Sequence, residues 1–307
     1  MLALWLAGCA FDGATAPLPP KTVLAWWGPG TNDSLIDKNI AWFASRRHAI
    51  TTASVISHRL GPNGTLQALP VGGGRYTTPS LFRALRSKGV RVLPIIYNDE
   101  SYGITLLPKL RALFAAPEPF IANLTRLAEE HDLDGFNLDF EIGVRCPTCK
   151  GPENATREDA RQLGRFIDKL ATSLGPQRTV SLDMMTWDNP LWAHPVLNRS
   201  KLGRAVDMST YGNAHGDPDD FRRFVVSAGK MIEDYSEPTS GACPKIGIGL
   251  CPACLNRSRP FTSAQLQARF DLIGGLECVR EIDMWSERPH SHTAPGRHRP
   301  LAPAAPS

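Results

Sequence analysis

Nine consecutive residues, Leu133, Asp134, Gly135, Phe136, Asn137, Leu138, Asp139, Phe140 and Glu141, concentrate polar groups in a pattern that suits catalysis. In an extended strand, residues at i, i+2 and i+4 point the same way. Asn137, Asp139 and Glu141 therefore share one face, and Phe136, Leu138 and Phe140 share the other. A buried strand should avoid carboxylates, because an unpaired buried charge is costly. Two of them on one face, at the C-terminal tip of an otherwise apolar strand, point to an active site.

The spacing specifies the chemistry. Alternate Cα atoms on a strand lie roughly 6.6 Å apart, so the two carboxyl groups can approach each other. Close carboxylates rarely ionise together, and the pKa of one is raised. The raised group can act as a general acid near neutral pH while its partner stays anionic. Glu141, at the tip, is assigned as the acid and Asp139 as its modulator, with Asn137 hydrogen-bonding Asp139 from below. Asp134 has the opposite parity and a structural role, capping or fixing the turn at Gly135. The competing reading is a satisfied buried polar network without chemistry.

The segment resembles the active-site signature of family-18 glycoside hydrolases, the chitinases and their relatives. That signature runs D-G-x-D-x-D-x-E, with Asp or Asn at the middle positions. Asn137 stands where many chitinases have Asp, and in this it is nearest to the di-N-acetylchitobiase branch. The resemblance implies a single (β/α)8 barrel and hydrolysis of β-1,4-linked N-acetylglucosamine with retention of configuration. It implies no cofactor and no metal. The substrate's own acetamido oxygen would attack the anomeric carbon, an exception to the scheme with two acting carboxylates. Glu141 would serve as acid and then base, and Asp139 would orient the acetamido group.

Other matches to the family are partial. Trp285 corresponds to the tryptophan that floors the cleaved-sugar subsite. Tyr211, within Ser209-Thr210-Tyr211-Gly212, resembles the M-x-Y-D segment whose tyrosine holds the acetamido group. Ser209 replaces Met and Gly212 replaces Asp, and Asn213 is the candidate substitute for the missing carboxylate. Met185 and Trp187 could line the cleft or pack in the core. Tyr97 ends another strand and is a further substrate-binding candidate, although the S-x-G-G segment common there in chitinases is missing. Trp27 is the candidate for the subsite wall, since strand parity turns only one of Trp26 and Trp27 inward. The class alternative to an enzyme is a chitin-binding lectin on the same barrel; a zinc-stabilised barrel with another role is a third reading.

A site at strand tips needs strands to carry it. Apolar runs at Thr22–Trp27, Ile50–Ser57, Val90–Tyr97, Leu133–Glu141, Thr179–Trp187, Ala205–Tyr211, Lys245–Leu250 and Glu281–Ser286 read as eight strands. Amphipathic runs at Asp33–Arg46, Ser80–Ser87, Pro117–His131, Arg157–Leu174, Pro218–Asp234 and Ser263–Ile273 read as helices. This alternation predicts an α/β fold, and the 307 residues suit one (β/α)8 domain over residues 20–287. Pro62-Asn63-Gly64 reads as a turn. His58, His131 and His215 read as surface or loop residues rather than metal ligands. Residues 288–307, rich in Pro, His and Ala, are expected to be disordered.

The formal net charge of +4 is too small to argue for nucleic acid. No apolar run is long enough to span a membrane. The expected partner is an N-acetylglucosamine-containing oligosaccharide or polysaccharide, bound by a monomer. Residues 1–16 are expected to be a signal peptide, short of its usual basic start, with Ala14-Thr15-Ala16 as the cleavage site. Leu6-Ala7-Gly8-Cys9 reads alternatively as a bacterial lipobox. Asn32, Asn63, Asn123, Asn154, Asn198 and Asn256 each begin an N-x-Ser/Thr sequon. These favour the secretory route, with a secreted, lysosomal or vacuolar destination. Cleavage would remove Cys9 and leave Cys146, Cys149, Cys243, Cys251, Cys254 and Cys278, an even set. In an oxidising compartment they are expected to form disulfides, with zinc ligation by the two C-x-x-C pairs as the alternative.

Overall fold

The computed structural model describes residues 22–97, 106–140, 155–184, 204–207, 246–250, 261–275 and 279–285. At 106, 184, 204–207, 246, 280 and 285 it describes the backbone alone. In chain order the elements are β1 (Thr22–Trp27), α1 (Asp33–Arg46), β2 (Thr52–Leu60), β3 (Leu66–Ala68), α2 (Thr78–Arg86) and β4 (Arg91–Tyr97). There follow α3 (Leu106–Ala115), α4 (Glu118–Glu130), β5 (Gly135–Asp139), α5 (Arg157–Leu174) and β6 (Thr179–Met184). The series ends with β7 (Arg204–Asp207), β8 (Ile246–Leu250), α6 (Ser263–Gly274) and β9 (Val279–Trp285).

The strands form one curled, parallel sheet. Pairing runs β1–β2, β2–β4, β4–β5, β5–β6, β6–β7, β7–β8, β8–β9 and back through β9–β1, so the hydrogen-bonded ring returns to its first strand. Parallel neighbours need a crossover, and helices supply it between β1 and β2, β2 and β4, β4 and β5, β5 and β6, and β8 and β9. β3 alone pairs antiparallel, as a hairpin on β2 through a 3-10 turn at Pro62–Gly64.

Alternation along the strands separates two cores. Leu24 and Trp26 of β1 face the ring interior with Leu93 and Ile95 of β4, flanked by Ile56 and Tyr97. Ala25 and Trp27 face the other way, into the layer between sheet and helices, with Phe43, Phe82, Phe136, Leu138 and Phe166. Four of the described helices start at a side-chain cap. Asn32 caps α1 by accepting from the Leu35 amide, and Thr77, Thr156 and Thr262 form capping boxes with Ser80, Asp159 and Gln265. Among the described residues no helix is long and apolar enough to cross a membrane.

Several expectations are corrected. β2 begins at Thr52 and runs to Leu60, and the hairpin strand β3 was not anticipated. Three residues carry too little periodicity to announce a strand. α3 was also not anticipated, although Leu107, Leu110 and Leu113 mark its buried face. Its Pro108 falls in the first turn, where proline is tolerated. His58 is not a surface residue; it is 5% exposed within β2. His131 is half-buried at the end of α4, its ring 6.2 Å from that of Phe82. The expected helix at 218–234, the leader, the tail, His215 and all seven cysteines lie outside the described residues.

Candidate active site

β5 is built around a glycine. Gly135 has φ +137°, and a Cβ there would lie 1.8 Å from the carbonyl oxygen of Thr179 on β6. Only glycine fits this backbone and this approach. Asp134, just before it, fixes the strand's entry. Its carboxylate accepts from Arg86 at 2.6 Å, from the Val92 amide at 2.8 Å and from Arg91 Nε at 3.3 Å. These contacts tie the start of β5 to α2 and β4, at the end of the ring opposite the candidate site.

Phe136 and Leu138 then pack into the outer core, and Asn137 and Asp139 face inward. Asn137 is fully buried and fully committed. Its amide nitrogen donates to Ser181 Oγ at 2.9 Å and to Asp183 Oδ1 at 3.0 Å, and its Oδ1 accepts from Trp26 Nε1 at 3.3 Å. Both amide protons are thus spent on β6, in place of the expected bond to Asp139. Asp139 is the last residue of β5, half-buried, and pairs in register with Tyr97 at the end of β4. Tyr97 is half-buried against the interior cluster.

The choice between the two tryptophans goes against the sequence-based candidate. Trp26 points inward and meets Asn137. Trp27 is 4% exposed in the outer core, its ring 5.7 Å from that of Phe43 on α1, and it does not line the ring interior. Trp285 is the last residue of β9, level with Trp26 in the register. Glu141, Met185, Trp187, Tyr211 and Asn213 lie outside the described residues.

The ring also gathers polar residues that were not singled out. Ser181 and Asp183 of β6, and Glu281 and Asp283 of β9, are all buried. Thr22 Oγ1 donates to Glu281 Oε2 at 2.9 Å across the β1–β9 seam. A Cβ on Gly247 of β8 would come within 2.1 Å of Asp283 Oδ2, so this glycine opens the space that the carboxyl group fills. The signal was available: Glu281, Asp283 and Trp285 repeat on β9 the i, i+2, i+4 pattern of Asn137, Asp139 and Glu141. Asp139 thus stands at the C-terminal end of β5 with an indole and an amide beneath it, a place from which a carboxyl group can meet a ligand at the strand tips. Among the described residues no group of three or more His, Cys, Asp or Glu could hold a metal ion.

No family model matches the chain, and no curated protein matches its sequence. Solved structures do resemble it. The spore cortex-lytic enzyme SleL of Bacillus cereus superposes with a TM-score of 0.59 at 15% identity, covering 86% of this chain and 70% of that one. The GH18 chitinase ChiB of Flavobacterium johnsoniae gives 0.59 at 11% identity, over 86% and 87% of the two chains. The chitinase RmChi1 of Rhizomucor miehei gives 0.59 at 15% identity, over 86% and 94%. This chain has the fold of the family-18 chitinases.

Proposed function

We propose that the protein is a family-18-type glycosidase that cleaves β-1,4-linked N-acetylglucosamine in chitooligosaccharides or the chitobiose core of N-glycans. The observation that carries this is the Leu133–Glu141 signature on a strand whose last residue is Asp139, within a fold shared with chitinases. We read the architecture as a complete (β/α)8 barrel, with the eight parallel pairings as support.

In the proposed reaction the acetamido carbonyl oxygen forms a bond to the anomeric carbon as the glycosidic C–O bond breaks. Glu141 gives its proton to the departing oxygen. Asp139 orients the acetamido N–H and balances the positive charge of the cyclic intermediate. Water then attacks the anomeric carbon from the vacated side, returns a proton to Glu141 and reopens the ring, so configuration is retained. Tyr211 and Asn213 hold the acetamido group. Trp285 floors the subsite, and Tyr97, Met185 and Trp187 complete its walls. Turnover of fluorogenic chitobioside and chitotrioside by the parent protein, and none by a folded Glu141→Gln variant, is the expected result. Near-normal activity in that variant would sink the assignment.

The lectin reading is favoured by one observation, Gly212 in place of the family's aspartate. Binding of chitooligosaccharide without turnover by the parent protein would select it.

The sequons support a secretory route. Asn63 lies exposed in the 3-10 turn with φ +57°, whereas Asn32 spends its side chain on capping α1. Produced in a eukaryotic secretory host, the protein should carry a glycan at Asn63. Peptide mass mapping before and after glycan removal checks this, and an unmodified Asn63 counts against the secretory assignment.

A further inference from the structure

A β-bulge decides which side chain the end of β2 turns toward the site. Up to Ile56 the strand alternates simply, with Ala53 and Val55 in the outer core and Ile56 against the interior cluster. Unbroken alternation would next turn His58 inward and Arg59 outward. Instead the register against β4 shifts, so that Ile56 faces Ile95 and His58 already faces Ile96. Ser57 is the extra residue, and the parity beyond it flips. His58 goes to the side of Ile96, which belongs to the outer core. Arg59 pairs with Tyr97, and Tyr97 pairs with Asp139. Three neighbouring strands thus present Arg59, Tyr97 and Asp139 as one row on the inner face, roughly 10 Å across.

Arg59 is also braced. β3 sets Gln67 opposite it in the hairpin register, and Arg59 Nε donates to Gln67 Oε1 at 2.9 Å. β3 lies outside the ring of parallel strands, and one thing it contributes is this partner. The chemistry of the row calls for a donor. An ionised carboxylate only accepts hydrogen bonds, while sugar hydroxyl and acetamido oxygens need donors as well. A guanidinium carries five donors in a rigid plane, enough to serve Gln67 and further oxygens together.

We propose that Arg59 is a substrate-binding residue, donating hydrogen bonds to the oxygens of a β-1,4-linked N-acetylglucosamine chain beside Asp139. This rests on the aminosugar reading of the site. Arg59 binds and transfers no proton, so its loss weakens binding and raises KM while kcat stays nearly level.

The test is calorimetric titration of chitotriose into Glu141→Gln protein, alone and combined with Arg59→Ala, Arg59→Lys or Gln67→Ala. Hydrolysis of the fluorogenic chitobioside by the same set with Glu141 intact completes it. Arg59→Ala should weaken binding about tenfold or more and raise KM to match, with kcat within about threefold of the parent. Arg59→Lys keeps the charge and the stem, and so reports even where Arg59→Ala fails to fold. It should restore only part of the loss, because an ammonium lacks the planar fork. Gln67→Ala should give a smaller loss. Binding by the parent that is unchanged in both Arg59 variants overturns this assignment alone. A lower kcat with a shifted pH profile and unchanged binding also overturns it, because Arg59 would then act on the carboxylates. A parent protein that neither binds nor cleaves overturns the aminosugar reading, and the role of Arg59 with it.

Discussion

Asn137 joins β5 to its surroundings, and its chemistry depends on being an amide. It donates to Asp183 at 3.0 Å and to Ser181 at 2.9 Å from a fully buried position. Asn137→Asp would replace those donors with a second carboxyl group against Asp183. Two buried carboxylates at that distance share a proton, so one is held above its ordinary pKa in the folded state. The folded protein then binds more protons than the unfolded chain, and the cost of the substitution shrinks as pH falls. We expect the variant to be less stable than the parent by about 2–4 kcal/mol at pH near 7.5, with a smaller gap at about pH 5. Urea unfolding at both pH values measures this, and a gap independent of pH would contradict it.

At the scale of elements, single residues set where strands begin and which way they face. Gly135 lets β5 approach β6 as no other residue could. The bulge at Ser57 turns Arg59 toward the site and sends His58 into the outer core, where it contacts Ser57 Oγ through Nδ1 at 2.9 Å. Burial, aided by the charge of His131, pushes the His58 imidazole down to about 4 from its ordinary 6.5. The unfolded chain therefore takes up a proton at pH values where the folded one does not. Stability carries no penalty from His58 above pH 6.5 and is lost as pH falls from there toward 4. The expected slope is about 1.4 kcal/mol per pH unit at most. His58→Asn should flatten that part of the curve. Melting temperatures of parent and variant from about pH 4 to 8 test it, and parallel curves would show that His58 is not the group responsible.

At the scale of the molecule, the pairings of β1 with both β2 and β9 bring strands far apart in sequence to one interior. The helical layer has its own fixings, such as Arg111 of α3, which donates to Asp159 of α5 through two bonds of 2.8 Å. Much of this was readable from the chain. α1 and α5 have the limits that their amphipathic runs predict, and the parity of Asn137 and Asp139 follows from a period of two, because all of these depend on neighbours within one turn or strand. The family likeness rests on the same local run of nine residues. What the sequence left open depended on partners elsewhere. Parity alone could not say whether Trp26 or Trp27 faces inward; the ring's closure put Trp26 against Asn137. Nor could it expose the bulge that exchanges His58 for Arg59, because a bulge exists only relative to the strand beside it. Ser181 and Asp183 look like scattered polar residues until pairing of β5 with β6 sets them against Asn137, and so do Glu281 and Asp283 until β9 pairs with β1 and buries them. The sequence determined the alphabet of strands, helices and candidate carboxylates. The tertiary structure decided which faces meet, because pairing register is a property of two strands and never of one.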